Sequence, residues 1–363
     1  MTKIPPFLPS IMHSLETNYL NACVYSAEDA STLRQLGEYR GKQELYSRQR
    51  PEILESLRHA AVIESSESSN RLEGITAPAL RVEAIVRRTD VPRDRSEQEI
   101  AGYRDALELI HQSRKEMPFT VGVIRQVHRT IYRYLPSEGG VWKPTDNEIV
   151  EKDRAGRVVG VRFKPVSAVA TPQAMDDLIA GYRAAIAGGT QDPLVVIPLA
   201  VLDFLCVHPF VDGNGRVGRL LTLLLLYHFD YDVGCYVSLE RIVEESKSTY
   251  YEALYASSQR WHEGRHDAHP WLSYFWGVLL RAYSEFEGRV GEVGVARGAK
   301  SEHVRRAVLR RSLPFSISEL ERDCPGISRD TVRDVLRKLR DQGLVRAEGR
   351  GPGARWIRIE GRM

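Results

Sequence analysis

The chain has 363 residues, 42% of them hydrophobic and 27% charged, with a formal net charge of +3 at pH 7. That length allows two or three domains, each with its own core, and the composition is that of an ordinary globular protein. Four cysteines (Cys23, Cys206, Cys235, Cys324) stand without CxxC pairing, which argues against a zinc site or a disulfide framework and fits a reducing cytoplasm.

The first ten residues, MTKIPPFLPS, are broken by prolines and lack the apolar stretch of a signal peptide. The apolar run at 223–227 is far too short to span a bilayer, so no membrane partner is expected. Residues 33–56 and 97–114 carry apolar side chains at helical spacing. Between them, Ser69 and Glu73 lie four apart, on one face if this stretch is helical, and Gly74 would end that helix. Pro78, Pro92 and Pro118 mark turns between helices. Residues 146–164 read as a hairpin, with arms NEIVE and VVGVRF around the polar turn KDRAGR. Thr171-Pro172-Gln173 opens a further helix that closes on two glycines. The apolar stretch 194–207 and the stretch 219–227 read as two buried helices that hold the loop between them rigidly.

That loop, HPFVDGNGRVGR from His208 to Arg219, has the makings of a phosphate site. Gly213, Asn214 and Gly215 let the backbone turn tightly with converging N–H groups, at the start of a helix whose dipole favours anions. Arg216 and Arg219, three apart, are predicted to project from one face toward that end, as guanidinium forks suited to phosphate oxygens. Asp212 is a hard oxygen ligand of the kind Mg2+ takes beside phosphates. His208 is the nearby group able to take a proton near neutral pH. Singly, each residue has an ordinary reading: a turn histidine, a surface arginine, a DGNG turn without the remaining acids of a calcium loop. Together, within 12 residues and between buried helices, they are hard to explain as structure alone.

The loop resembles the Fic family motif HPFx[D/E]GNGRxxR, matched at every defining position. The resemblance extends over roughly 33–288 and implies a mainly α fold, a Fic-type helical bundle with a β-hairpin flap. It implies that His208 is the general base, that Asp212 holds Mg2+, that Gly213, Asn214 and Gly215 cradle the α-phosphate region, and that Arg216 and Arg219 hold the outer phosphates. The reaction implied is transfer of AMP from ATP to a Ser, Thr or Tyr hydroxyl of a protein, this chain itself included. The hairpin would align the target segment by strand addition. Tyr250 and Tyr251, in STYYEAL, resemble a tyrosine pair placed near the nucleotide, and core packing explains them equally well. SSNRLEGI resembles the family's inhibitory helix [S/T]xxxE[G/N], so Glu73 would pair with Arg219 and deny it to the γ-phosphate, with Ser69 on the same face. The related kinase branch carries Lys where this chain has Gly215. Removal of AMP from modified proteins stays open, since some braked relatives use the inhibitory Glu to position water.

The last 64 residues hold 16 Lys and Arg against 9 Asp and Glu, a net of +7, which leaves −4 on the rest. After a glycine-rich linker, two helices capped by Ser318 and Ser328 and a small hairpin resemble a winged helix-turn-helix. Its second helix carries Arg333, Arg337, Lys338 and Arg340, and a DNA partner is one expectation; a regulator that uses the helical body as a nucleotide sensor is the corresponding alternative. The organisation expected is 1–114 as an N-terminal helical region with the inhibitory helix, 115–288 as the catalytic core, 289–300 as a linker and 301–363 as the winged unit. A homodimer is compatible with this but fixed by nothing in the sequence. The closing IEGR resembles a protease-recognition scar.

Overall fold

The computed structural model describes residues 13–49, 51–152, 157–291, 299–309, 311, 314–324, 327–349 and 354–359. Helices α1 (Thr17–Ala22), α2 (Ala27–Gln49), α3 (Pro51–Leu72), α4 (Ala79–Val86), α5 (Arg95–Ser113) and α6 (Val121–Ile131) come first. The helix expected over 33–56 is thus two: α2 starts earlier, and Pro51 opens α3, where its missing N–H goes unneeded. Asp94 and Thr120 cap α5 and α6 by accepting from Glu97 N and Val123 N.

The hairpin pairs β1 (Ile149–Lys152) with β2 (Val158–Phe163) antiparallel, Ile149 opposite Phe163 and Val150 opposite Val161. Most of the polar turn between them lies outside the described residues. Then follow α7 (Thr171–Ala187), α8 (Pro193–Val207) and α9 (Asn214–Tyr227). Next are α10 (Leu239–Glu245), α11 (Lys247–Ser258) and α12 (His269–Gly291).

Helix α8 is apolar all round and sits in the middle of the bundle, packed by α7, α9 and α12. Pro198 inside it cannot donate to Leu194 O, and Trp276 Nε1 of α12 fills the vacancy at 2.8 Å. Its one acid, Asp203, is fully buried; its Oδ1 accepts from Trp261 Nε1 at 2.6 Å and from Ser14 Oγ. A single core runs from Leu15 to Val290, so the 114/115 division does not separate two cores. Helix α5 approaches α6 so closely that a β-carbon on Gly102 would overlap Ile131 O.

The C-terminal unit has its own core around Phe315, Leu336 and Trp356. It consists of α13 (Ala299–Leu309), α14 (Ile317–Asp323), α15 (Arg329–Asp341) and the antiparallel pair β3 (Val345–Glu348) and β4 (Arg355–Arg358). Ser316, not Ser318, caps α14: Ser316 Oγ accepts from Glu319 N while the Glu319 carboxylate accepts from Ser316 N, the reciprocal arrangement that S-x-x-E favours. Ser328 caps α15. The unit touches the body at Asp323, whose carbonyl accepts from Ser56 Oγ of α3 at 3.1 Å and whose carboxylate lies 3.6 Å from Arg87.

Candidate functional site

Helix α8 ends in a left-handed residue, His208, at φ 50° and ψ 61°. The chain then loops back and restarts as α9 behind Gly213, itself left-handed at φ 80°. Two such residues five apart form a tight cradle, and it is locked from inside. Asn214 Oδ1 accepts from Phe210 N at 2.9 Å and its Nδ2 donates to Phe210 O at 2.8 Å. The Asn214 amide, expected to face a ligand, is therefore spent closing the loop; only the backbone start of α9 faces outward.

His208 Nδ1 donates to Leu205 O at 3.2 Å, which leaves Nε2 with its lone pair. Burial pushes the imidazole down to about 4, partly opposed by that carbonyl and reinforced by Lys143. At neutral pH His208 is an uncharged base. Asp212 projects into the cleft, its side chain 61% exposed. Its Oδ1 accepts from Gly213 N at 2.7 Å and its Oδ2 from Tyr132 Oη at 3.1 Å.

The two arginines are buried and turn to separate partners. Arg216 donates to Glu99 at 2.6 Å and lies 3.5 Å from Asp212. Arg219 donates through Nε to Ser69 Oγ at 2.8 Å, and through Nη2 to Ser69 O at 2.9 Å and Glu73 Oε1 at 2.7 Å. Burial works against the charge on Arg219, and Glu73 alongside more than offsets it, so the guanidinium stays protonated. Ser69 lies near the C-terminal end of α3, Glu73 just beyond it, and Gly74 follows at φ 81°. A β-carbon on Gly215 would overlap Glu73 Oε1 and press on Arg219 Nη1 at 3.2 Å. The carboxylate of Glu73 thus lies against Gly215, in the first turn of α9.

Tyr250 is core, packed on Trp271 and Tyr274. Tyr251 is half-buried; its ring lies under Arg162 of β2, and its hydroxyl is 3.5 Å from Leu72 O.

Four supporting residues escaped the sequence reading. His128 is stacked on Phe210 with ring centroids 3.7 Å apart. Its Nδ1 accepts from Gly140 N at 2.7 Å, so Nε2 carries the proton and donates to Asp212 O at 3.0 Å. Burial first, then Arg216, holds this imidazole down to about 4, against the pull of Asp212. Tyr132, four residues on, holds the Asp212 carboxylate, and Glu99 pairs Arg216. Lys143 completes the set. The i, i+4 spacing of His128 and Tyr132 in VHRTIY was the one available signal.

Among the described residues no group of three or more His, Cys, Asp or Glu is arranged to hold a metal by itself, and no helix is long and apolar enough to cross a membrane.

Comparison with known proteins bears on this geometry directly. A family model described as the Fic/DOC family matches residues 118–226. The chain is 29% identical over 79 residues to a Fido domain-containing protein of Dictyostelium discoideum, a stretch that is 22% of this chain and 51% of that relative. The match thus spans about half the relative's length. Among solved structures, a Fic family protein from Desulfovibrio desulfuricans G20 superposes with a TM-score of 0.60 at 20% identity, over 94% of this chain and 98% of that one. A Fic domain containing signaling protein from Bacteroides thetaiotaomicron gives 0.60 at 23% identity, over 72% and 97%. A fragment of Fic-1 from C. elegans gives 0.56 at 20% identity, over 74% and 73%. At such identities the likeness is one of fold, and the family match falls on the segment that carries the cradle. Residues 118–226 of the chain are thus a Fic/DOC family domain.

Proposed function

We propose that this chain transfers AMP from ATP to a hydroxyl side chain of a protein, and that Glu73 restrains the reaction. Fic domain proteins generally transfer a nucleoside monophosphate onto proteins; ATP, the hydroxyl target and the restraint are the finer reading. The observation that carries it is the Glu73 carboxylate lying against Gly215 while gripping Arg219. An anion already stands where the helix start would receive a phosphate.

With Glu73 moved aside, Arg219 becomes free to hold the outer phosphates. His208 Nε2 takes the proton of the target hydroxyl, and the oxygen attacks the α-phosphorus. The bond to the α,β-bridging oxygen breaks, and pyrophosphate leaves with the electron pair. Asp212, alone and fixed by two hydrogen bonds, suits Mg2+, which uses one or two carboxylates plus substrate phosphates. When bound, the ion neutralises phosphate charge. Positioning and charge stabilisation supply most of the rate.

The same carboxylate, 30% exposed beside the cradle, also suits a water-orienting role in removing AMP. DNA as a partner of the C-terminal unit has less support: Arg333 lies 3.7 Å from Asp330, and Arg337 lies 2.9 Å from Asp334, so α15 offsets much of its own charge. A salt-sensitive gel shift would restore that reading.

The test uses ATP labelled at the α- or γ-phosphate with wild type, Glu73→Gly and Glu73→Gly/His208→Ala. We expect covalent α-label, at least about tenfold stronger in Glu73→Gly and lost in the double variant. Incorporated γ-label would point to a kinase. Release of label from a pre-modified protein, absent in Glu73→Gly, would point to AMP removal.

A further inference from the structure

The turn that presents His208 is braced by a side chain outside the family motif. Lys143 lies between α6 and β1 and is 3% exposed. Its backbone N–H donates to Pro209 O at 2.9 Å. Its Nζ donates to Val207 O at 3.1 Å and to Asn147 Oδ1 at 2.8 Å. Asn147 Nδ2 in turn donates to Phe210 O at 3.2 Å. The carbonyls of residues 207, 209 and 210 are thereby tied to one two-residue bracket, and His208 is the residue they enclose.

Two costs make this bracket more than incidental packing. A non-glycine residue in the left-handed region stores about 1–3 kcal/mol and persists only where its surroundings over-determine it. A buried ammonium is expensive unless its donors are satisfied; here two of them meet neutral oxygens, one on the loop itself and one on its fellow brace. A hydrophobic residue would fill the same space without that desolvation. What the ammonium adds is a hold on the carbonyl immediately before His208.

We propose that Lys143, seconded by Asn147, is a positioning residue that fixes the His208 turn and aims the Nε2 lone pair at the incoming target hydroxyl. The inference rests on the reading of His208 as the base. Lys143 touches no reacting atom; it acts through the loop. Arg219 is held separately, by Ser69 and Glu73.

The experiment compares Lys143→Met, Lys143→Arg and Asn147→Ala, each in the Glu73→Gly background, by transfer kinetics. Histidine-selective 15N spectra of the same proteins are recorded without nucleotide. Lys143→Met should lower kcat by about 10–100-fold, as a misplaced catalytic group does, and leave KM for ATP within about twofold. Lys143→Arg, which can donate to the same two oxygens, should recover most of the loss, and Asn147→Ala should fall between. In the spectra, His208 should be a single Nδ1-protonated tautomer with Lys143 present and a broadened or mixed signal in Lys143→Met. Unchanged kcat in Lys143→Met overturns the proposal, as does a loss seen wholly in KM. If Glu73→Gly itself transfers nothing, the transfer reading fails and the spectra decide alone: an unaltered His208 signal in Lys143→Met overturns the brace, and an altered one supports it.

Discussion

His208 caps the apolar helix that carries Asp203, and burial drives their titration in opposite ways. The His208 imidazole is pushed down to about 4, so the base is already neutral well below physiological pH. Transfer by Glu73→Gly should therefore hold its rate from pH 8 to pH 6, with the acid limb nearer 4; half-loss at pH 6.5, where an ordinary imidazole titrates, would contradict this. Asp203 is pushed up to about 7, first by burial, against the Ser14 and Trp261 donors that favour its charge. The folded chain then holds a proton there that the unfolded chain has released above about pH 4. Stability from this group is present at acid pH and lost as pH rises toward 7, by up to about 1.4 kcal/mol per pH unit. Asp203→Asn should remove that slope, so urea melts of wild type and variant should diverge between pH 4 and pH 7; parallel curves would refute it. Residues 208–219 were legible because the motif packs a base, a carboxylate, a glycine turn and two arginines into one contiguous stretch. His128, Tyr132, Glu99 and Lys143 were not, because tertiary packing brings them there from 64 to 117 residues away. Nothing local distinguishes Glu99 from any acid on an amphipathic helix until Arg216 is placed against it.

Among the helices, glycine separates exposed surface from close crossing. Gly37 in α2 has open space around it, whereas a β-carbon on Gly102 in α5 would overlap the backbone of α6. Gly37→Ala should stabilise the protein by roughly 0.5–1 kcal/mol through helix propensity. Gly102→Ala should destabilise by about 3 kcal/mol or more and weaken transfer, because α6 carries His128 and is capped by Tyr132. Chemical denaturation of the two variants checks both signs. The sequence shows two helix-interior glycines of equal appearance; only the crossing assigns them opposite signs. Elements with local start chemistry, such as α7 opening at Thr171-Pro172 and the hairpin with its polar turn, were readable. The break at Pro51 and the Ser316 cap were missed although both signals are local: a proline that can open a helix, and an S-x-x-E box two residues ahead of the serine chosen.

For the molecule as a whole, mainly helical architecture with one hairpin beside the cradle follows from apolar periodicity and turn residues. The joining of the N-terminal region to the catalytic core does not, because one hydrophobic core from Leu15 to Val290 depends on contacts far apart in sequence. In this arrangement Glu73, just beyond a helix of the N-terminal region, reaches Arg219, 146 residues later in the chain. Helix α3 packs against α5, α9 and α10, so Glu73 is delivered to Arg219 by a rigid body and not by a loose segment. The C-terminal unit rests on the same helix near its start, at Ser56. The measurement that bears most directly on transfer under restraint is intact-mass spectrometry after incubation with Mg2+ and ATP. Wild type, Glu73→Gly and Glu73→Gly/His208→Ala would be compared, each with candidate target proteins. An added adenylyl mass on a hydroxyl residue is expected in Glu73→Gly, little in wild type and none in the double variant. A phosphate mass in its place, or an adduct unchanged by Glu73→Gly or by loss of His208, would contradict it.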